Sequence, residues 1–146
     1  MMKHLILILS LALLNGNIHM NNITTCSDKQ KKQHLTKTIK NAPAVSVKLE
    51  KAGDKTSFAI VTDITYEDSK QRWCIGLLPS ARPHYLAEST QSKAAVELMK
   101  YAMRHKLTLL IKSKETRTGN LKEPYITYIK IAPMDKQIQL RSDKSA

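Results

Sequence analysis

The sequence lacks most of what a reaction centre is built from. Two cysteines and five scattered histidines do not make a metal site, which needs several ligands at close spacing. No H-E-x-x-H, no pair of carboxylates and no nucleophile beside a base stands out, and its serine, histidine and aspartate residues fall on unlike segments. No enzyme, cofactor or metal is therefore expected. There is no internal repeat, no low-complexity tract and no apolar run long enough to cross a bilayer. Acidic residues are scarce: 12 Asp and Glu stand against 24 Lys and Arg, a formal net charge of +12. That imbalance implies an anionic partner, whether acidic glycan, anionic lipid, nucleic acid or acidic protein segment, and charge alone does not choose among them.

The longest apolar run, Leu5 to Leu14, follows Lys3. It is too short to span a membrane and suits the core of a signal peptide. Residues 1–20 are expected to be that peptide, cleaved between Gly16 and Met20, with the protein secreted by way of the periplasm. Export would put Cys26 and Cys74 in an oxidising compartment, where a lone pair is expected to form a bridge. Two free, buried thiols are the alternative.

What the sequence does hold is one strongly patterned stretch, Ser89 to Lys106. Ala95, Leu98, Met99, Ala102 and Met103 recur at helical period and form an apolar stripe. Lys93, Glu97, Lys100 and Arg104 form a second, charged stripe, with Glu97 placed to face both lysines. Ser89 or Ser92 can cap the helix, and Arg104, His105 and Lys106 suit its C-terminal dipole.

Around this helix the chain alternates. Asp28 to Ile39 suits a short helix docked by Leu35 and Ile39. The run from Ala44 to Glu50 predicts a first strand. Ser57 to Tyr66 predicts a second, with Phe58, Ile60, Ile64 and Tyr66 on one face, and Arg72 to Leu78 a third. Pro79 to Ala87 reads as an irregular loop. After the helix come a strand from Leu107 to Ser113, a polar loop from Lys114 to Glu123, and a last strand from Tyr125 to Ala132. The fold class expected is mainly β with one long helix, in the order β-β-β-α-β-β. That is the order of the OB-fold, a five-stranded Greek-key barrel that binds oligonucleotides and oligosaccharides. It is expected over residues 21–133, with 134–146 a basic tail.

Several stretches then resemble one family, the B subunits of cholera toxin and heat-labile enterotoxin. They are Asn22-Ile23-Thr24-Thr25-Cys26, Ala52-Gly53-Asp54-Lys55, Ala59-Ile60-Val61-Thr62, and Ser92 to Lys100 with Arg104, followed by Pro124. Trp73-Cys74-Ile75 is similar to a triplet of pertussis-type B subunits. The resemblance implies a homopentamer whose long helices line a central pore. That pore would be lined here by Lys93, Glu97, Lys100 and Arg104. It implies a catalytic A subunit held in the pore and a host glycolipid or glycoprotein bound outside.

For the sugar site, the family's stacking tryptophan falls at Gly119, and its strand carboxylate falls at Leu77. Asp28, Gly53, His84, Gln91, Asn120 and Lys122 match the remaining positions, and Tyr85 is the candidate to replace the missing ring. A glycan other than the usual ganglioside is expected. Trp73, the sole tryptophan, suits a core or interface ring better than a sugar platform, and the histidines His84 and His105 suit the surface. The alternative function is a secreted monomeric OB-fold module binding nucleic acid or acidic polysaccharide through Lys112, Tyr125, Tyr128 and Lys130. OB modules for single strands interleave exposed aromatics with lysines along one groove, and these four residues could begin such a surface, although nucleic acid is not the expected partner.

Overall fold

The computed structural model describes residues 20–51, 53 and 55–137, with side chains from Ser27 onward. The expected signal peptide and the end of the tail lie outside the described residues. The chain separates into two compact units, one ending at Lys40 and the other beginning at Asn41. The first contains one helix, α1 (Met20–Lys40). It is longer than the short helix expected there, and longer than the helix read as the single long one, α2 (Ser92–His105).

The second unit is mainly β. Its strands are β1 (Ser46–Lys48), β2 (Lys55–Glu67), β3 (Arg72–Leu78), β4 (His84–Ala87), β5 (Thr108–Thr118) and β6 (Leu121–Ile131), with a 3-10 turn at Asp68–Lys70 and α2 between β4 and β5. The strands make one six-stranded sheet in the order β1-β6-β4-β3-β2-β5, and β5 pairs in addition with β6. The pairings from β6 through β4, β3, β2 and β5 therefore lead back to β6, with β1 outside that cycle. The link from β4 to β6 is parallel, through Tyr85 and Tyr125, and every other link is antiparallel.

Three expectations are corrected. The first strand shrinks to Ser46–Lys48, paired only with β6. The supposed loop before α2 contains β4. The polar loop from Lys114 to Glu123 is the end of a long hairpin, paired as far as Thr118 with Leu121 and turned at Gly119-Asn120. Prolines at 79 and 83 mask the short β4, and polar side chains mask the hairpin end, because a ladder closes on backbone groups whatever the side chains are.

β2 shows why five strands can share one curved sheet. Lys55 to Ile60 pair with β5, and Ile60 to Glu67 pair with β3. The handover comes with a register shift between Val61 and Asp63. An extra residue there flips the side-chain alternation and bends the strand. Ala59 and Val61 are buried before the shift, while Phe58 and Ile60 are only half-buried. The uniform even-numbered face expected from Phe58 to Tyr66 is thus broken. Gly76 lies opposite this bulge, and a Cβ on it would come within 2.7 Å of Thr62 Oγ1.

α2 packs on β2 and β1. Ala95, Val96, Leu98, Met99 and Ala102 are buried, as a 3.6-residue period requires. Met103, expected in the same stripe, is 38 % exposed. The N-cap residue of α2 is Gln91, whose side chain makes no capping hydrogen bond, so neither serine expected as the cap fills that position. Ser89 and Ser92 bond each other instead. Each hydroxyl accepts the other's backbone N–H, at 3.1 Å and 3.0 Å, in the reciprocal manner of a capping box. The helix ends at Lys106, which adopts a left-handed φ of 53° and donates its N–H to the carbonyls of Ala102 and Met103.

The segment after β6 also contributes to the fold. Gln137 is fully buried. Its Oε1 accepts the Thr108 N–H at 2.7 Å, and its amide donates to the carbonyls of Thr108 at 2.7 Å and Ala132 at 3.0 Å. The expected boundary at residue 133 therefore precedes a residue that satisfies the backbone at the start of β5. Gln137→Ala should destabilise the protein by about 2–4 kcal/mol, the cost of leaving buried backbone groups unpaired together with the lost packing. A urea titration followed by circular dichroism would measure it as a lower midpoint at unchanged slope.

Candidate functional site

On β3, β4 and β6 the outward-facing positions converge around one cation. Arg72 opens β3 and is only 3 % exposed. Its Nη1 and Nη2 donate to the two carboxylate oxygens of Glu123 at 2.7 Å and 3.1 Å. Its Nε donates to Glu67 at 2.8 Å, and Nη1 also reaches the Tyr125 hydroxyl at 2.8 Å. The Tyr85 ring covers the guanidinium at 3.6 Å, and the Tyr85 and Tyr125 rings lie 5.7 Å apart. Thr118 donates to the same Glu123 carboxylate at 2.9 Å.

Strand register explains the convergence. Glu67 pairs with Arg72, Arg72 with Ala87, Cys74 with Tyr85, and Tyr85 with Tyr125, so alternate residues of four strands reach one face. Two carboxylates hold the Arg72 guanidinium far above its ordinary range. In turn the Arg72 hydrogen bond holds both Glu67 and Glu123 below theirs. Such a cluster works as a clamp, since a planar fork with five donors can be satisfied from several strands at once.

A cleft of about 100 Å³ opens beside the clamp, lined by Leu49, Glu50, Leu86, Ala87, Glu88, Ser89, Tyr125 and Ile126. It combines one ring, two carboxylates and a hydroxyl with apolar walls. Glu88 accepts the Tyr66 hydroxyl at 2.6 Å, and that bond pushes the Tyr66 pKa up to about 12. Glu50 is paired with Lys114. Each carboxylate keeps lone pairs for a second donor. The volume is too small for a whole drug-sized ligand.

The residues expected at the sugar site are not gathered at this cleft. Tyr85 belongs to the clamp next to it, and Gln91 is exposed just beyond Ser89, ahead of α2. His84, expected on the surface, is buried and pairs with Ile75 on the opposite face from Tyr85, because neighbours along a strand point to opposite sides. Its Nδ1 lies 3.2 Å from the Arg82 carbonyl, and burial pushes its pKa down.

Asn120 and Lys122 are exposed at the hairpin end. Asn120 stands five residues from Tyr125, roughly 17 Å along an extended strand. Gly53 is a structural hook: its N–H donates to Thr127 Oγ1 at 2.8 Å, and a Cβ there would lie 2.3 Å from the Ser113 carbonyl oxygen. Asp28 is exposed on α1, in the other unit.

Lys93, Glu97, Lys100 and Arg104 are all exposed along one side of α2, with Lys100 and Glu97 3.3 Å apart. Trp73 is half-buried against Tyr66, ring centroids 4.8 Å apart, and is not among the buried core residues. Cys74 is a free, half-buried thiol on β3 rather than half of the expected bridge, and burial pushes its pKa up. The side chain of Cys26 lies outside the described residues. Sequence reasoning missed Arg72, Glu67, Glu123, Glu50 and Glu88. The one available signal was an arginine opening an otherwise apolar strand.

Arg72→Met should cost about 3–5 kcal/mol, because it strands buried Glu123 without its cation. The two carboxylates also set a pH dependence. Their folded pKa values lie below the unfolded one, so their contribution is complete above about pH 4.3 and is lost as pH falls through the folded values. Thermal melts from pH 7 to pH 2 should show this acid loss in the wild type and a shallower loss in Glu123→Gln.

No protein-family model, curated protein or solved structure gives a significant match to this chain.

Proposed function

We propose that this protein is the secreted, lectin-like B subunit of a multi-subunit toxin, forming a homopentameric ring that binds a host glycan and carries a catalytic A subunit. The observation that carries this reading is the division of α2 into a buried apolar side and a fully exposed charged side, Lys93, Glu97, Lys100 and Arg104. A helix lining a shared axis needs that division. Its basic stripe with one interleaved acid favours an acidic threaded segment and inter-subunit ion pairs, and a cyclic ring repeats one such heterologous contact until it closes.

The pairing cycle β2-β3-β4-β6-β5 supports a five-stranded OB barrel, with β1 added at β6 and α2 inserted before β5. In this reading the strand β4 fills the third place of the barrel, which the sequence had assigned to Arg72–Leu78. The cleft at Glu50, Glu88, Ser89 and Tyr125 is the sugar site. Its carboxylates accept hydroxyl protons, and the Tyr125 ring supplies an apolar face in place of the tryptophan missing at Gly119.

Light scattering after size exclusion should give five times the mass of the mature chain. A stable monomer would remove the ring and with it the pore. Reversing Lys100 and Arg104 to Glu should lower capture of the A subunit at least about tenfold while leaving the unfolding midpoint unchanged, since both side chains are exposed. On a glycan array the usual galactose-terminated ganglioside should bind weakly, and Glu88→Gln should abolish the strongest signal. Unaltered array binding by that variant would place the sugar elsewhere.

A further inference from the structure

The outward face of α1 carries concentrated charge without counter-charge. Between Ser27 and Lys40 there are five lysines and one acid, Asp28. Four of them, Lys29, Lys32, Lys37 and Lys40, line an open groove of about 570 Å³ together with Gln33 and Thr36. Their spacing is i, i+3, i+8 and i+11, one side of an α-helix, spanning roughly 16 Å. The buried Leu35 and Thr38 lie on the other side by helical phase. Among the described residues none of the four lysines pairs with a carboxylate, whereas Lys55, Lys70, Lys100 and Lys114 all do. Lys29 with Lys32, and Lys37 with Lys40, stand at i, i+3, where like charges weaken a helix. A bound polyanion would remove that repulsion.

We infer that this face binds a sulfated polysaccharide. The chemistry of the groove selects it. A single-stranded nucleic acid asks for rings to stack on, and no Phe, Tyr or Trp occurs from Ser27 to Lys40. An interfacial membrane helix needs an exposed apolar face, and among the described residues none that lines the groove is apolar. Bidentate phosphate recognition favours arginine, and α1 has none. Lysines are compact point charges that meet sulfates spread along a chain. Gln33 and Thr36 sit between them as neutral partners for sugar hydroxyls. The Thr36 hydroxyl donates to the Lys32 carbonyl at 2.9 Å and keeps its lone pairs to accept. The described residues of the groove all belong to α1, so the inference does not rest on ring assembly.

The test compares the full chain with two triple variants of equal charge loss. One is Lys32→Gln, Lys37→Gln and Lys40→Gln; the other is Lys48→Gln, Lys51→Gln and Arg117→Gln, all exposed elsewhere. Heparin is the probe, titrated over a range of salt, with helix content checked by circular dichroism. The α1 variant should bind at least about tenfold more weakly at ~0.1 M salt, with a salt slope smaller by about two, as release of three fewer counterions predicts. The control should stay within about twofold of wild type. Equal losses in both variants would reduce the effect to net charge and overturn the site. Competition by desulfated heparin, polyglutamate, an oligonucleotide or phosphatidylserine vesicles as strong as that by heparin would overturn the sulfated class.

Discussion

A guanidinium removed from water must find every donor a partner, and in this protein one arginine does so by recruiting four strands. Arg72 lies at the start of β3, and its partners come from the end of β2, from β4 and from β6, while Thr118 of β5 bonds the Glu123 carboxylate. Cation–π contact with Tyr85 adds of the order of 1 kcal/mol to the hydrogen bonds. The larger effect is specificity. Glu67, Glu123 and Tyr125 satisfy the fork in one register of β2, β3 and β6, and a slip of one residue would send each side chain to the other face.

The same face carries the cleft. Tyr125 is shared between clamp and cleft, so what holds the ring in place also shapes the wall against which a ligand would lie. The β4–β6 link, a single parallel pair, is short of backbone hydrogen bonds, and side chains across it supply what the ladder does not. On the far side of β6 the Thr127 position performs a related task. Its hydroxyl donates to the Lys112 carbonyl and accepts the Gly53 N–H, while its own carbonyl accepts from Leu49 and Glu50. That anchors the segment bearing Glu50 beside Glu88. Backbone irregularity at two points, Thr62 and Thr127, thus positions both the curvature of the sheet and a wall of the cleft.

α2 was legible from its residues because amphipathic period is a local property, and its charged stripe emerged exposed as expected. Most strands were legible for the same reason. Two were not. β4 is four residues long and sits behind prolines, so neither length nor composition marks it. The outer half of the last hairpin is polar on both faces and resembles a loop until its backbone is paired. The site was harder still. Asp28, Gly53, His84, Asn120 and Lys122 were drawn from resemblance; Asp28 falls on α1 in the other unit, and the pairing of the strands sends the rest to separate places. Arg72 and its carboxylates lie 5 and 51 positions apart in sequence, a distance over which no periodicity speaks.

From its sequence alone the chain determined its apolar periods, its excess of positive charge, the helix with two faces and the residues that must turn. These follow from interactions within a few residues, which any window of the sequence contains. Tertiary structure alone decided which strands meet, that Tyr85 turns outward while His84 turns in, that Gln137 is part of the core, and that Glu50, Glu88 and Tyr125 share a cleft. Those outcomes depend on register between distant strands, and register is chosen by the sheet as a whole.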